Sequence, residues 1–203
     1  MGKADTVIVL DFETTGLSPA CGGRAIEIGA VRVEGGKITG RFQELMNPGR
    51  NVSGFIVGLT GISNAMLAEA RPCRDVMHEF ADFIDGYNLV AHNASFDKGF
   101  LDAELGQIGR KYSGGFACSM LAARRIYPEA ENHKLGTLVR HLNIPSDGGF
   151  HRALYDSEMT TQVWLTMLGE IDRRFNVVGV PFTTIQKLSK TSKWAVSKLF
   201  RAK

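Results

Sequence analysis

Two acids, Asp11 and Glu13, stand two positions apart at the end of the apolar run VIVLDFE, and two more, Asp97 and Asp156, lie beside apolar segments far along the chain. In an extended strand, side chains at i and i+2 point to the same face, so Asp11 and Glu13 project together from one strand end. Neighbouring carboxylates repel, which raises one pKa unless a cation offsets the charge, and hard oxygen ligands of this kind suit Mg²⁺ or Mn²⁺. For this pair alone the competing reading is two solvated acids closing a strand. His151 precedes Asp156 by five residues, about 140° around a helix, so it is expected just before that helix, facing the same cleft from a loop.

These residues need elements to hold them. Val7 to Leu10 form a buried strand bounded by the turn-forming TTGLSPACGG. AIEIGAVRV alternates, EGGK is a hairpin turn and ITGRFQELM returns, so three adjacent strands open the chain as a meander. Residues 64–85 read as helical, interrupted near Pro72. NLVAHN reads as a further short buried strand. Ser95 is placed to cap a helix with Phe96, Phe100, Leu101 and Leu105 in one stripe and Asp97 in its first turn. SMLAARRIYP, HKLGTLVRHLNI and RALYDSEMTTQVWLTMLGEI supply three more helices, the last a long core helix, and the class is α/β.

A length of 203 residues suits one sizeable domain, and no segment is long and apolar enough to span a membrane. The N-terminus lacks the pattern of a signal peptide, so a cytoplasmic location is expected. Cys21, Cys73 and Cys118 have no paired spacing and read as reduced thiols, Cys118 as a small buried hydrophobe. Of the 24 Lys and Arg, eight fall in residues 173–203, which hold no acid, so all 21 Asp and Glu share residues 1–172 with the other 16. The expected division is residues 1–172 as the reactive domain and 173–203 as a basic, helical tail. That tail either tracks nucleic acid, binds a partner or packs on the core as a solvated amphipathic end.

VLDFETTGL, HNASFD and HRALYDS, in this order, resemble the three motifs of the DEDD exonuclease superfamily, over about residues 6–168. The likeness is to the His-containing branch, which includes the epsilon proofreading subunit of bacterial DNA polymerase III. The Tyr-containing branch would carry Tyr where this chain has Arg152. The resemblance implies a ribonuclease H-like fold with a central mixed β-sheet flanked by α-helices. It implies Asp11, Glu13, Asp97 and Asp156 as ligands to two divalent ions, Mg²⁺ or Mn²⁺, and His151 as general base, a task suited to a group that titrates near neutral pH. The chain departs from the pattern at Ser157, where a small Ala commonly stands, at GLTGIS and at Cys118, none of them a ligand position.

The likeness also implies that Thr14, Thr15, Gly16 and Leu17 meet the terminal nucleotide, that Asn93 and Phe96 contact substrate, and that Glu27 supports the metal shell. Each has a plain structural alternative, a turn or a satisfied core residue. His78, His92, His133 and His141 share no metal-ligand spacing and read as surface or core histidines. The function so implied is a 3′→5′ exonuclease on single-stranded or frayed DNA that releases nucleoside 5′-monophosphates, with DNA favoured over RNA and a polymerase subunit or a second copy as partner. An exoribonuclease and a non-catalytic nucleic-acid-binding subunit are the alternatives.

Overall fold

The computed structural model describes residues 2–201. Strand β1 (Val7–Thr14) is buried along nearly its whole length, the result of an uninterrupted apolar run with packing on both faces. It pairs antiparallel with β2 (Ala25–Glu34), which pairs antiparallel with β3 (Lys37–Asn47) across a turn with Gly35 and Gly36 at positive φ, as a two-residue hairpin requires. The expected meander is present.

After β3 come α1 (Gly54–Thr60), α2 (Asn64–Glu69), the two-residue β4 (Arg71–Pro72) and α3 (Cys73–Phe83). The single interrupted helix expected over 64–85 is therefore two helices, with Arg71 and Pro72 pairing in parallel with the end of β3. Proline has no N–H for a helix interior and fits an edge pairing. The helix α1 was not anticipated, because its glycines hide a weak helical signal. Next are β5 (Asn88–Ala91), α4 (Ser95–Gln107), β6 (Phe116–Cys118), α5 (Ser119–Ile126) and α6 (Leu135–His141). The chain ends in α7 (Ala153–Phe175), α8 (Phe182–Lys190) and α9 (Val196–Arg201). Ser95 begins α4 rather than capping it: Ala94 holds the cap position, with no side-chain hydrogen bond there. Cys118 is half-buried rather than buried, and its Sγ accepts from the Leu121 N–H at the start of α5.

The six strands form one mixed sheet in the order β4-β3-β2-β1-β5-β6, with β5 and β6 parallel to β1. The alternation of β1 sorts its side chains onto two cores. Val7 and Val9 pack with Trp164, Met167 and Ile171 of α7, whereas Ile8, Leu10 and Phe12 pack with Phe80 of α3 and Phe100 of α4. The basic C-terminal segment is helical and joins the first of these cores through Phe182, Ile185, Leu188, Val196 and Phe200. Helix α8 lies against the edge strand β6, where Gln186 Nε2 donates to the Phe116 carbonyl at 3.0 Å. An edge strand covered by a helix is protected from pairing with another chain.

One contact sets the approach of α7. An ideal Cβ on Gly29 of β2 would lie 2.1 Å from the Leu154 nitrogen and 2.2 Å from the Ala153 carbonyl carbon, so only glycine lets the first turn of α7 rest on the sheet. Ser157 Oγ donates to the Gly29 carbonyl at 2.9 Å and holds it there. Ser157, the departure from the usual alanine, is thus a buried, satisfied hydroxyl. The expected result of Gly29→Ala is a destabilisation of at least the ~1–3 kcal/mol typical of overpacking, read as a lowered Tm. Because Asp156 moves with the displaced helix, any reaction that needs it should be lost even where the protein remains folded.

Candidate active site

Asp11 and Glu13 continue the β1 face that carries Val7 and Val9, and so point toward α7, as their spacing requires. Asp97, the third residue of α4, enters from the parallel neighbour β5: its Oδ1 accepts from the Phe12 N–H at 3.2 Å, pinning α4 to the end of β1. Asp156 lies in the first turn of α7, where its Oδ2 accepts from the His151 N–H at 3.0 Å. His151 itself precedes the helix, as expected, exposed and at φ 68°, a left-handed conformation that histidine tolerates better than most residues. Ligand atoms of Glu13, His151 and Asp156 all lie within 4.8 Å of one another, close enough to hold one metal ion.

The electrostatics carry Asp11 and Asp97 into the same group. Burial, followed by repulsion from Asp97, Asp156, Glu13 and Glu27, raises Asp11 well above the usual carboxylate range. Glu13 is pushed up to about 8 by burial and then by Asp156, Glu27 and Asp97, with Arg152 acting the other way. Burial raises Asp97 to about 7 against the opposing bond from Phe12, and raises Asp156 to about 6 against that from His151. No side-chain hydrogen bond among the described residues reaches Asp11 or Glu13, and Asp156 Oδ1 is buried without a partner. Oxygen atoms of this sort, concentrated and unsatisfied, fit divalent cations.

Glu27 differs. It sits opposite Glu13 in the β1–β2 register, a like-charge pairing that costs stability on its own. Its carboxylate is fully buried and accepts from Arg152 Nη2 at 2.8 Å, the Ala153 N–H at 2.9 Å and Gln43 Nε2 at 3.1 Å. Glu27 thus fastens the start of α7, and Arg152 brings a positive charge that moderates Glu13.

Two grooves meet over Asp11, His151 and Asp156. The first, of about 570 Å³, is lined by Thr14, Thr15, Gly16, Leu17 and Phe96, with Phe55 and Leu59 of α1 on its far side. Leu17 and Phe55 are 91% and 76% exposed, apolar side chains left without a covering partner. Phe96 packs at 5.0 Å on Phe100 and turns its remaining face to the groove. Thr15 Oγ1 accepts from the Arg24 N–H and from Arg50, and Thr14 Oγ1 donates to the Gly16 carbonyl, so the turn is internally braced. Asn93 lines neither groove: it is exposed, at φ 68°, with its carbonyl accepting from the Phe96 N–H.

The second groove is polar, with Lys134, Thr137, Arg140, Asn132 and His92. His92 hydrogen-bonds Ser119 Oγ and the His133 carbonyl, each at 2.9 Å, and its burial lowers it to about 4, so it belongs to the wall as a neutral ring. Sequence reading missed Phe55, Leu59, Lys134 and Arg140. Phe55 and Leu59 left a usable signal, large apolar residues in a short glycine-punctuated stretch unable to bury them all. Lys134 and Arg140 left none, since charged residues on a short helix ordinarily mean solvent.

The mixed sheet and the flanking helices give a ribonuclease H-like fold, with four acids converging at the end of β1. Residues 8–164 match the RNase_T exonuclease family, and the chain belongs to it. A stretch of the DNA polymerase III PolC-type protein of Bacillus cereus is 39% identical over 168 residues, which cover 82% of this chain and 12% of that protein. The 3′-5′ exonuclease DinG of Bacillus subtilis is 36% identical over 196 residues, 95% of this chain and 20% of that one. The chain therefore spans well under a quarter of the length of either. The structure of Exonuclease X in complex with 5′ overhanging duplex DNA superposes with a TM-score of 0.70 at 27% identity, covering 90% of this chain and 99% of that chain. The nuclease domain of 3′hExo, a DEDDh family member, shares the fold at 22% identity and TM-score 0.70.

Carboxylates raised in the folded state bind protons there that the unfolded chain has released, so they favour folding at low pH and cease to as pH rises through their folded values. For Asp156, Asp97 and Glu13 those values are about 6, 7 and 8. In chelator, the Tm should fall as pH is raised from about 5 to about 8.5, and Mg²⁺ or Mn²⁺ should restore it most at the high end. A chelated protein whose Tm is flat over that range would show that the acids are not clustered as described.

Proposed function

We propose that this chain is a metal-dependent 3′→5′ exonuclease that hydrolyses the terminal phosphodiester of single-stranded or frayed DNA and releases nucleoside 5′-monophosphates. The observation that carries the reading is the convergence of four acids from three separate elements, with unsatisfied oxygens, beside an exposed histidine. Asp11, Glu13, Asp97 and Asp156 would hold two divalent ions, Mg²⁺ or Mn²⁺, which supply Lewis-acid polarisation of the phosphate and a more acidic water. His151 removes the proton from the attacking water as the new P–O bond forms and the bond to the 3′ oxygen breaks, and the departing oxygen takes a proton from solvent to become the new terminal 3′ hydroxyl. The left-handed backbone at His151 and the bond from its N–H to Asp156 fix the ring's origin beside the acids it serves.

Substrate is positioned by the chain. The braced turn Thr14 to Leu17, with Phe96 and Phe55, forms an apolar slot suited to the base and sugar of one terminal nucleotide, since aromatic and aliphatic faces accept any base. Lys134 and Arg140 on the other arm suit the phosphates that follow. Names among the relatives, a DNA polymerase and a duplex-DNA complex, favour DNA over RNA and a polymerase as partner class, and they fit a cytoplasmic location. Among the described residues no helix is long and apolar enough to cross a membrane.

A 5′-labelled DNA strand and its RNA counterpart, incubated with Mg²⁺, Mn²⁺ or chelator, test this directly. The expected result is a metal-dependent ladder shortening from the 3′ end, faster on DNA and absent for Asp11→Ala. Degradation of neither strand under any metal would overturn the reading, and RNA cleaved faster would overturn the sugar preference. His151→Ala should lower the rate on the order of 10²–10⁴-fold while metal still raises the Tm, the signature of a lost general base at an intact ligand set.

A further inference from the structure

We infer that the chain carries a second nucleic-acid contact surface, a groove between α4, β6 with the start of α5, and α8, which takes the phosphate backbone of a strand away from its 3′ terminus. The inference rests on the exonuclease reading only for what delivers the strand. The groove encloses about 510 Å³, and its lining includes Lys98, Lys187 and Lys190 but no acidic side chain. Lys98 is paired with Asp102, whereas Lys187 and Lys190 are exposed and have no carboxylate partner among the described residues. The floor is apolar, with Phe116, Ala117 and Leu121.

The position of the groove argues for a nucleic acid. The first turn of α4 is a wall shared with the reaction cleft: Ala94 and Ser95 line the groove, and Phe96 lines the cleft. Cations continue between the two on the other side as well. Arg124, exposed on α5, lies near enough to His92 for its charge to act on the ring, and His92 lines the cleft arm that holds Lys134 and Arg140. Beyond Lys190, Trp194 is 85% exposed with Lys193 Nζ 4.6 Å from its ring centre, an aromatic face among cations of the kind on which bases stack. Residues 182–201 carry Lys187, Lys190, Lys193, Lys198 and Arg201 and no acid, a local charge that favours a polyanion.

Deleting the tail would not test this, because α8 and α9 carry core residues. Lys187→Gln with Lys190→Gln alters only exposed groups, and a retained Tm verifies the fold. Binding of a labelled DNA strand in chelator, followed by anisotropy, should show a salt dependence about 1.4 units shallower in log K against log [salt], the change expected when two backbone phosphates are no longer neutralised. On the wild type, kcat/KM should favour a long strand over a trinucleotide, and the double variant should lose most of that ratio. An unchanged slope and ratio would overturn the proposal. So would an acidic peptide that binds the groove, fails with the double variant, and leaves DNA binding untouched. Failure of the wild type to cut either substrate would instead fail the exonuclease reading, while the binding slope would still decide on the groove.

Discussion

Mutual repulsion among buried carboxylates is the constraint around which this molecule is arranged. Charges on Asp97, Asp156 and Glu27 raise both Asp11 and Glu13, and Glu13 and Glu27 face each other directly in the sheet. Left to itself, such a cluster would push its elements apart or take up protons. The fold answers with Arg152, Gln43 Nε2 and the Ala153 N–H on Glu27, and with backbone N–H groups on Asp97 and Asp156. The residual charge is left for cations, which makes metal affinity and the stability of this region two aspects of one free energy.

Holding the acids together against that repulsion falls to packing remote from them. Helix α7 is fixed at its start by the absent side chain of Gly29, the hydroxyl of Ser157 and the carboxylate of Glu27. Farther along, Trp164 is fully buried, and its Nε1 donates to the Ala4 carbonyl at 2.8 Å, tying the helix to the segment just before β1. The same helix continues into the core completed by α8 and α9. Asp156 and the face of β1 that bears Asp11 and Glu13 are thus positioned by one rigid contact, whereas Asp97 arrives separately on α4 through its bond to Phe12.

Much of this arrangement was readable from local pattern. The i, i+2 spacing placed Asp11 and Glu13 on one face, and the apolar run before them required a central strand. The angular offset of His151 from Asp156 put the histidine ahead of its helix, where it lies. What escaped the sequence depends on contacts between distant segments. Arg71 and Pro72 read as a break in a helix because their pairing with β3 is a tertiary event. Gly29 carried no mark of its role, since a glycine within a strand says nothing of the helix that will lie over it. Ser95 had the right residue type for a cap, but the turn from Asn93 starts the helix through its own backbone. Glu27 was open to two readings, a support of the metal shell or a satisfied structural residue, and its bonds to Arg152, Ala153 and Gln43 supply an anchor that only the folded chain displays.

A second buried acid shows why the unsatisfied oxygens of the cleft point to chemistry and not to accident. Glu104 of α4 is 3% exposed, as hidden as Asp97, yet both of its oxygens are occupied. Arg24 grips them in a two-pronged contact at 2.8 and 3.0 Å, the Ala25 N–H adds a third bond at 3.1 Å, and Cys73 Sγ lies 3.2 Å away. That pairing braces the start of β2 and, through the Arg24 backbone on Thr15, the turn that lines the cleft. The same chain therefore satisfies a buried carboxylate fully where it needs only structure. At the cleft it leaves Asp11, Glu13 and one oxygen of Asp156 without donors among the described residues, although a single arginine at each would have relieved them. Leaving a buried group without a donor costs stability, by ~1–3 kcal/mol, and among the buried carboxylates Asp156 carries that cost at the floor where the two grooves meet.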